Sequence, residues 1–199
     1  MTRRRTAAPR KGDLRQSAIL DAAERLLSSP GYDAMTIADI AEAAGITRGA
    51  LYFYFGSKQE VVTELFARTV VVLHEKSRAA AEDAASGSQA IETAMMRTEE
   101  LWRHHGVVMR TAIDLAATIP ELDKLWNDTA DIFIEAITAV LEHMGVPTGE
   151  GPRESSAIAK ALCWMIERNF YQASRVSAAE LTRARETCTE IWRRAARTD

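Results

Sequence analysis

Gly45 is the residue that most constrains this chain. It lies between two runs of helical spacing, and the backbone must turn sharply within a few residues of it. On its N-terminal side Thr36 opens a helix, with Asp39 three residues on as a variant capping box. Ile37, Ile40, Ala41 and Ala44 form the buried face of that helix. Gly45 stops it where a left-handed turn is wanted. Ile46 then plugs the corner, and Thr47 is the natural N-cap of a short third helix running to about Phe55. A helix, a glycine turn and a second short helix make the helix-turn-helix pattern. Ala41 is small where two helices must cross closely. Leu51 and Phe55, four apart, anchor the third helix to the core, and Phe53 is expected to be buried beside them. Thr47, Arg48, Gly49 and Tyr52 are left on or near its outer face.

A helix end that presents a hydroxyl, a guanidinium and a phenol suits a phosphate-rimmed major groove. Arg48 is the candidate for a guanine edge, because its fork can be bidentate. Gly49 lets the backbone approach closely, and Lys58 begins a fourth helix where amide groups also favour a phosphate. The charge distribution points the same way. The chain carries a formal charge of -3, yet residues 1–58 hold nine Lys/Arg against six acids, and the remainder sixteen against twenty-two. A basic N-terminal part on an acidic body suggests a polyanion partner for that part alone. A merely solubilising tail is the competing reading. Arg3, Arg4 and Arg5 either enter an adjacent minor groove or add only non-specific attraction.

The rest of the chain is expected to be helical. Residues 1–12 read as a disordered basic arm. From Asp13, Leu14, Ala18, Ala22 and Leu26 share one face, with Ile19 and Leu27 beside it, and Pro30-Gly31 ends the helix. Ser57 and Glu60 cap the long fourth helix, whose stripe includes Val61, Val62, Leu65, Phe66, Thr69, Val70 and Leu73 and which reaches about Ala85. Further helices are expected near 89–104, 107–118, 121–144, 153–175 and 178–196, with Gly106 among the breakers. No segment shows sustained period-2 alternation, so the expected fold is all-α with about nine helices. The expected domains are 13–58 for the helix-turn-helix and 59–199 for a second helical domain. No apolar run reaches the roughly 18 residues of a membrane span, and no apolar secretory segment follows the basic start. Two cysteines, Cys163 and Cys188, form no disulfide framework and suggest a reducing, cytoplasmic setting.

Residues 36–58 resemble the N-terminal domain of the TetR family of bacterial transcriptional regulators. Gly45, Thr47, Gly49, Leu51, Tyr52, Phe55 and Lys58 stand where that family expects them. The resemblance implies DNA contacts from Thr36, Thr47, Arg48, Gly49, Tyr52, Tyr54 and Lys58, with Tyr54 standing where many members carry His. The run of Tyr52, Phe53, Tyr54 and Phe55, the Arg-rich arm and the segment of Ile166, Glu167 and Arg168 look like an actinobacterial repressor subgroup of the family associated with ethionamide resistance. The setting it implies is the bacterial nucleoid.

One helix-turn-helix covers about one half-site, so a palindromic double-stranded operator calls for a homodimer. The last helix carries Leu181, Ala184, Cys188, Ile191 and Ala195 in steps of three and four, a coiled-coil-like seam with Trp192 beside it. The preceding helix is apolar around most of its circumference and so needs several partners. Trp164 and Tyr171 lie on the side given to a second subunit, in the four-helix interface the family implies. Large apolar residues gather at Ile91, Met95, Met96, Trp102, Met109, Trp126, Phe133, Cys163, Ile166 and Phe170. Such residues at helical spacing are commonly core; the family resemblance favours a pocket for a small apolar ligand. Asp114, Glu167 and Asn169 sit in apolar stretches and would be costly to bury unpaired. Either they pair internally, for example with Arg110 or Arg168, or they orient a ligand; pairing is favoured for Glu167, which is nonetheless counted among the pocket residues, while Asn169 is open.

The expectation is therefore a homodimeric DNA-binding repressor released by a small, mostly apolar ligand. The alternative is a DNA-bound architectural or interaction protein without an inducer. His74, His104, His105 and His143 lack metal-ligand spacing, and no phosphate loop or nucleophile elbow is found, so no enzyme, metal or cofactor is expected. Both cysteines sit among apolar neighbours, where thiols tend to be inert.

Overall fold

The computed structural model describes the backbone of residues 11–82 and 86–196, and the side chains of 12–71 and 86–196. Arg3, Arg4 and Arg5, the side chain of Leu73 and the expected helix end at Ala85 lie outside the described residues. Among those described there are eight helices and no strand. They are α1 (Lys11–Ser28), α2 (Ile37–Ala43), α3 (Arg48–Tyr52), α4 (Lys58–Glu82), α5 (Gly87–Ala116), α6 (Pro120–His143), α7 (Ser155–Ser174) and α8 (Ala178–Ala195). The expected all-α fold is observed. The chain forms two compact units, divided between Leu65 and Phe66.

In the first unit α1 packs on α2, and α2 on α3. Its core is Ile19, Ala22, Ala23, Leu27, Met35, Ile40, Ala41, Leu51, Phe55 and Val61. The expected register of α1 is corrected here. Leu14 is 58% exposed, and the true inner face runs through Ile19, Ala23 and Leu27. Both stripes satisfy helical spacing, and the larger β-branched and leucine side chains decide which is buried. Met35, fully buried just ahead of α2, lies on no helix and so belongs to no periodic pattern.

In the second unit α5 packs against α6, α7 and α8, and α7 packs on both α6 and α8. The expected break near Gly106 is real but does not separate two helices. One element spans it, with a non-helical φ of -121° and ψ of 19° at His105. A β-carbon at Gly106 would stand 3.3 Å from Arg110 Nη1 and 3.6 Å from Ser174 Cβ. The kink thus coincides with a close approach of α7. Arg110 seals that contact, donating from Nη1 to the Ser174 carbonyl at 3.0 Å and to its hydroxyl oxygen at 3.1 Å. An ion network ties α5 to α8. Arg185 reaches Glu99 at 2.7 Å and Glu92 at 3.1 Å, and Arg193 reaches the other oxygen of Glu92 at 2.8 Å. Arg103 also pairs with Glu99. Burial pushes the Glu99 carboxyl up, but hydrogen bonds from Thr182, Arg103 and Arg185 outweigh it and bring it below its ordinary value.

Candidate DNA-reading helix and effector cavity

The turn is built as its residues require. Thr36 caps α2 reciprocally: its hydroxyl accepts from Asp39 N at 3.2 Å, and its own N–H donates to the Asp39 carboxylate at 2.8 Å. The Thr36 hydroxyl also donates to that carboxylate at 2.7 Å, and this bond together with the one from the Thr36 N–H holds the Asp39 carboxyl below its ordinary value. Gly45 takes φ +65°, the left-handed region open to a residue without a β-carbon. The Ile46 N–H then donates back to the Ala41 carbonyl at 3.0 Å, closing the helix end. Thr47 caps α3 by accepting from Ala50 N at 3.1 Å.

The short helix α3 buries Leu51, and Phe55 follows beneath it. Thr36, Thr47, Arg48, Gly49 and Tyr52 are all exposed, and Tyr54 is half-buried. Arg48 and Tyr52, one turn apart, form a unit: Nη2 donates to the phenol oxygen at 3.1 Å, with the guanidinium carbon 5.5 Å from the ring centre. Among the described residues, nothing beyond its chain neighbours and its own helix backbone lies within 4 Å of a β-carbon built on Gly49, so that face is open. Lys58 is held in place, its ammonium donating to the Tyr32 carbonyl at 2.8 Å and lying 4.2 Å over the Tyr32 ring. Ser57 caps α4 by accepting from Glu60 N at 3.1 Å, while the Glu60 carboxylate takes the Gly56 N–H at 2.7 Å.

Phe53 corrects the expectation that it packs in the core: it is 85% exposed. Residues two apart on a helix do not share a face, and Leu51 takes the inner one. The helix also ends at Tyr52 rather than Phe55. Phe53 meets Tyr54 edge-on at 5.4 Å and adds an apolar ring to the exposed surface beside Tyr52.

The second unit contains a cavity of about 730 Å³ between α5, α6, α7 and α8. Of the large apolar residues expected to gather there, Met95, Trp102, Met109, Trp126, Phe133, Cys163 and Ile166 line it, and Glu167 does too. Ile91, Met96 and Phe170 do not; Ile91 and Phe170 are fully buried in the surrounding core, and Met96 is 49% exposed. Small residues such as Ala90, Ala94, Ala130 and Ala136 also line it, as do Thr98 and Thr129. Bulky side chains mark a pocket's rings in the sequence, but the empty volume itself lies where bulk is missing, at these small residues. Trp164 and Trp192, expected at a subunit interface, belong to the cavity wall as well.

The polar residues of this region pair differently from expectation. Asp114 accepts from the Tyr171 hydroxyl at 2.6 Å, rather than from Arg110. Asn169 is exposed and donates to the Met165 carbonyl at 2.8 Å. Glu167 is not paired internally with Arg168. Among the described residues its Oε1 is buried with no hydrogen-bond partner, while the Arg168 guanidinium stacks 4.9 Å over the Tyr171 ring. Burial pushes the Glu167 carboxyl above its ordinary value, against the pull of the nearby Arg168 charge. Burial likewise pushes the Cys163 and Cys188 thiols up to about 11, which keeps them protonated and inert.

Of the expected interface residues, Tyr171, Leu181, Cys188 and Trp192 are buried inside the chain itself. Trp164 and Ala184 are half-buried, and Ile191 is 39% exposed. The seam thus has an inner edge spent on α5 and α7 and an outer edge at Ile191.

A capped helix, a left-handed glycine and an exposed second helix make a helix-turn-helix, the motif of DNA-binding transcriptional regulators. A family model described as bacterial regulatory proteins of the tetR family matches residues 19–65, and the chain belongs to the TetR family. The HTH-type transcriptional regulator EthR of Mycobacterium tuberculosis is 33% identical over 204 residues, covering 95% of this chain and 89% of that protein. Among solved structures, the fatty acid degradation regulator FadR from Bacillus halodurans shares the fold, with a TM-score of 0.77 and 17% identity over 94% of this chain and 96% of that one. A transcriptional regulator of Saccharomonospora viridis, solved in complex with choline, shares it with a TM-score of 0.72 and 20% identity over 88% of this chain and 94% of that one. Among the described residues, no helix is long and apolar enough to cross a membrane.

Proposed function

We propose that this regulator is a homodimeric repressor that leaves its operator when a small, mostly apolar molecule fills the α5–α8 cavity. The cavity carries this reading: a volume of about 730 Å³ with a mostly apolar wall lies in the range of sites for drug-sized ligands. The choline complex of the Saccharomonospora viridis protein adds support, since a neighbour of the same fold holds a small molecule. The architectural alternative calls for a solidly packed second unit, and a cavity of this size weighs against it.

Arg48 reads a guanine edge, with Tyr52 bracing its guanidinium, and Gly49 lets the α3 backbone come close to the groove. Thr36, Thr47, Tyr54 and Lys58 position the helix on phosphates, as the family's pattern implies. The expected arm, residues 1–12, acts as a basic extension whose last two residues, Lys11 and Gly12, already lie in α1; residues 13–58 act as the DNA-binding domain and 59–199 as the ligand-binding and dimerisation domain. The second subunit meets the outer edge of α7 and α8 at Trp164, Ala184 and Ile191, with Tyr171, Leu181, Cys188 and Trp192 supporting that edge from within. Release requires the ligand to bind the DNA-incompetent state better than the competent one; equal affinity for both shifts nothing. The helix α4 begins in the first unit and continues into the second, so it is the element that transmits the change.

Arg48→Ala tests the reading role. Operator affinity, measured by fluorescence anisotropy at fixed salt, should fall by about 1–3 kcal/mol, with relaxed preference at one base position. Unchanged affinity and preference would remove Arg48 from that role.

A further inference from the structure

The wall of the cavity has a chemistry that its apolar volume does not explain. All four tryptophans of the chain line it: Trp102, Trp126, Trp164 and Trp192. Its ionisable members are Glu135, His143, Cys163 and Glu167, and no Lys or Arg is found among the described lining residues. Glu167 reaches this wall from α7 with one carboxylate oxygen buried and unpartnered, and its neighbour Arg168 is turned to Tyr171 instead. Glu135 is exposed on α6, where Ile132 and His143 also line the cavity from exposed positions, so that helix forms its open side.

Three kinds of ligand meet this wall differently. An anionic head meets two glutamates and no base, and is repelled. A neutral apolar molecule leaves the buried Glu167 Oε1 without a partner, and a neutral donor such as an alcohol offers it a hydrogen bond but no charge. A cation sets an opposite charge against that oxygen, and indole faces attract cations, quaternary ammonium groups included. The volume is large enough for a drug-sized molecule, so the head comes with a sizeable apolar body.

We propose that the effector is a lipophilic cation, an amine or quaternary ammonium whose charged head lies at Glu167 among the tryptophan rings while its apolar body fills the rest of the cavity. This deepens the reading of the cavity as the effector site and rests on it. The head group is the determinant: the tail selects only for apolar bulk.

The test is a titration of the full-length protein by tryptophan fluorescence with decyltrimethylammonium, decanol and decanoate, each below its micellar concentration at fixed pH and salt. The parent, Glu167→Gln and Glu135→Gln are compared, and each ligand is also tested for release of bound operator DNA. The expected order is ammonium over alcohol by at least about tenfold, with decanoate weakest. Glu167→Gln should lose most of the ammonium preference while keeping its affinity for decanol, which also serves as the control that the variant folds. Glu135→Gln should keep the preference. Equal binding of ammonium and alcohol by the parent, or an ammonium preference untouched by Glu167→Gln, overturns the cationic assignment and leaves the effector cavity standing. Absence of binding by all three overturns both. Ammonium binding that never releases DNA overturns the effector reading alone.

Discussion

At the scale of single residues, two glutamates of the second unit have opposite histories. Glu99 is 13% exposed and surrounded by donors from Thr182, Arg103 and Arg185, so its carboxyl titrates below its ordinary value. A lowered value contributes stability above the pH at which the unfolded chain titrates, and that contribution is lost as pH falls through the folded value. Glu99→Gln should therefore be less stable than the parent at neutral pH in urea denaturation, with the difference closing as the solution is acidified. Glu167 is raised by burial, so the sign reverses. Its contribution is present below the ordinary carboxylate range and is lost as pH rises through the raised value. Glu167→Gln should gain stability over the ligand-free parent at neutral pH, and that gain should shrink on acidification. A gain for Glu99→Gln at neutral pH, or a loss for Glu167→Gln, would contradict the partners assigned to each. The partly buried Arg185 holds two acids at once, and Arg185→Ala should cost about 1–3 kcal/mol, between the values of exposed and buried pairs.

At the scale of elements, the helix-turn-helix was legible because its determinants are contiguous. The Thr36–Asp39 box, the left-handed Gly45 and the Thr47 cap are all local, and each is found as its chemistry demands. Where two readings both satisfied local rules, packing chose between them. The inner stripe of α1 passes through Ile19 rather than Leu14, and Phe53 faces outward because Leu51 is already inside. The cavity was half legible: its large rings could be listed, but its volume is set by alanines on three helices whose alignment no single segment encodes. The same logic yields a pair of glycine tests. Gly45→Ala places a β-carbon at φ +65° and should cost about 1–2 kcal/mol in stability. Gly49→Ala adds a methyl to open space in a helical position, so it should gain about 0.5–1 kcal/mol in thermal or chemical unfolding. If Gly49 serves close approach to a groove, that same variant binds operator more weakly while folding better. A variant that is more stable and binds equally well would show that α3 does not approach DNA through Gly49.

At the scale of the whole molecule, the charge asymmetry seen in the sequence has a concrete counterpart. The exposed surface of α3 is basic and aromatic, while the second unit encloses a cavity whose wall carries acids and tryptophans. One end of the chain is suited to an anionic polymer and the other to a small apolar or cationic molecule. In the proposed homodimer, linkage between them needs only that the ligand distinguish two of its states. The most direct test of that account is footprinting of genomic DNA with the purified protein at fixed salt, with and without decyltrimethylammonium, in parallel with Arg48→Ala. The account predicts a discrete palindromic site, protected by the parent, released by the ligand and lost in the variant. Diffuse, salt-sensitive protection that is indifferent to both the ligand and Arg48 would contradict it and favour an architectural DNA-binding protein instead.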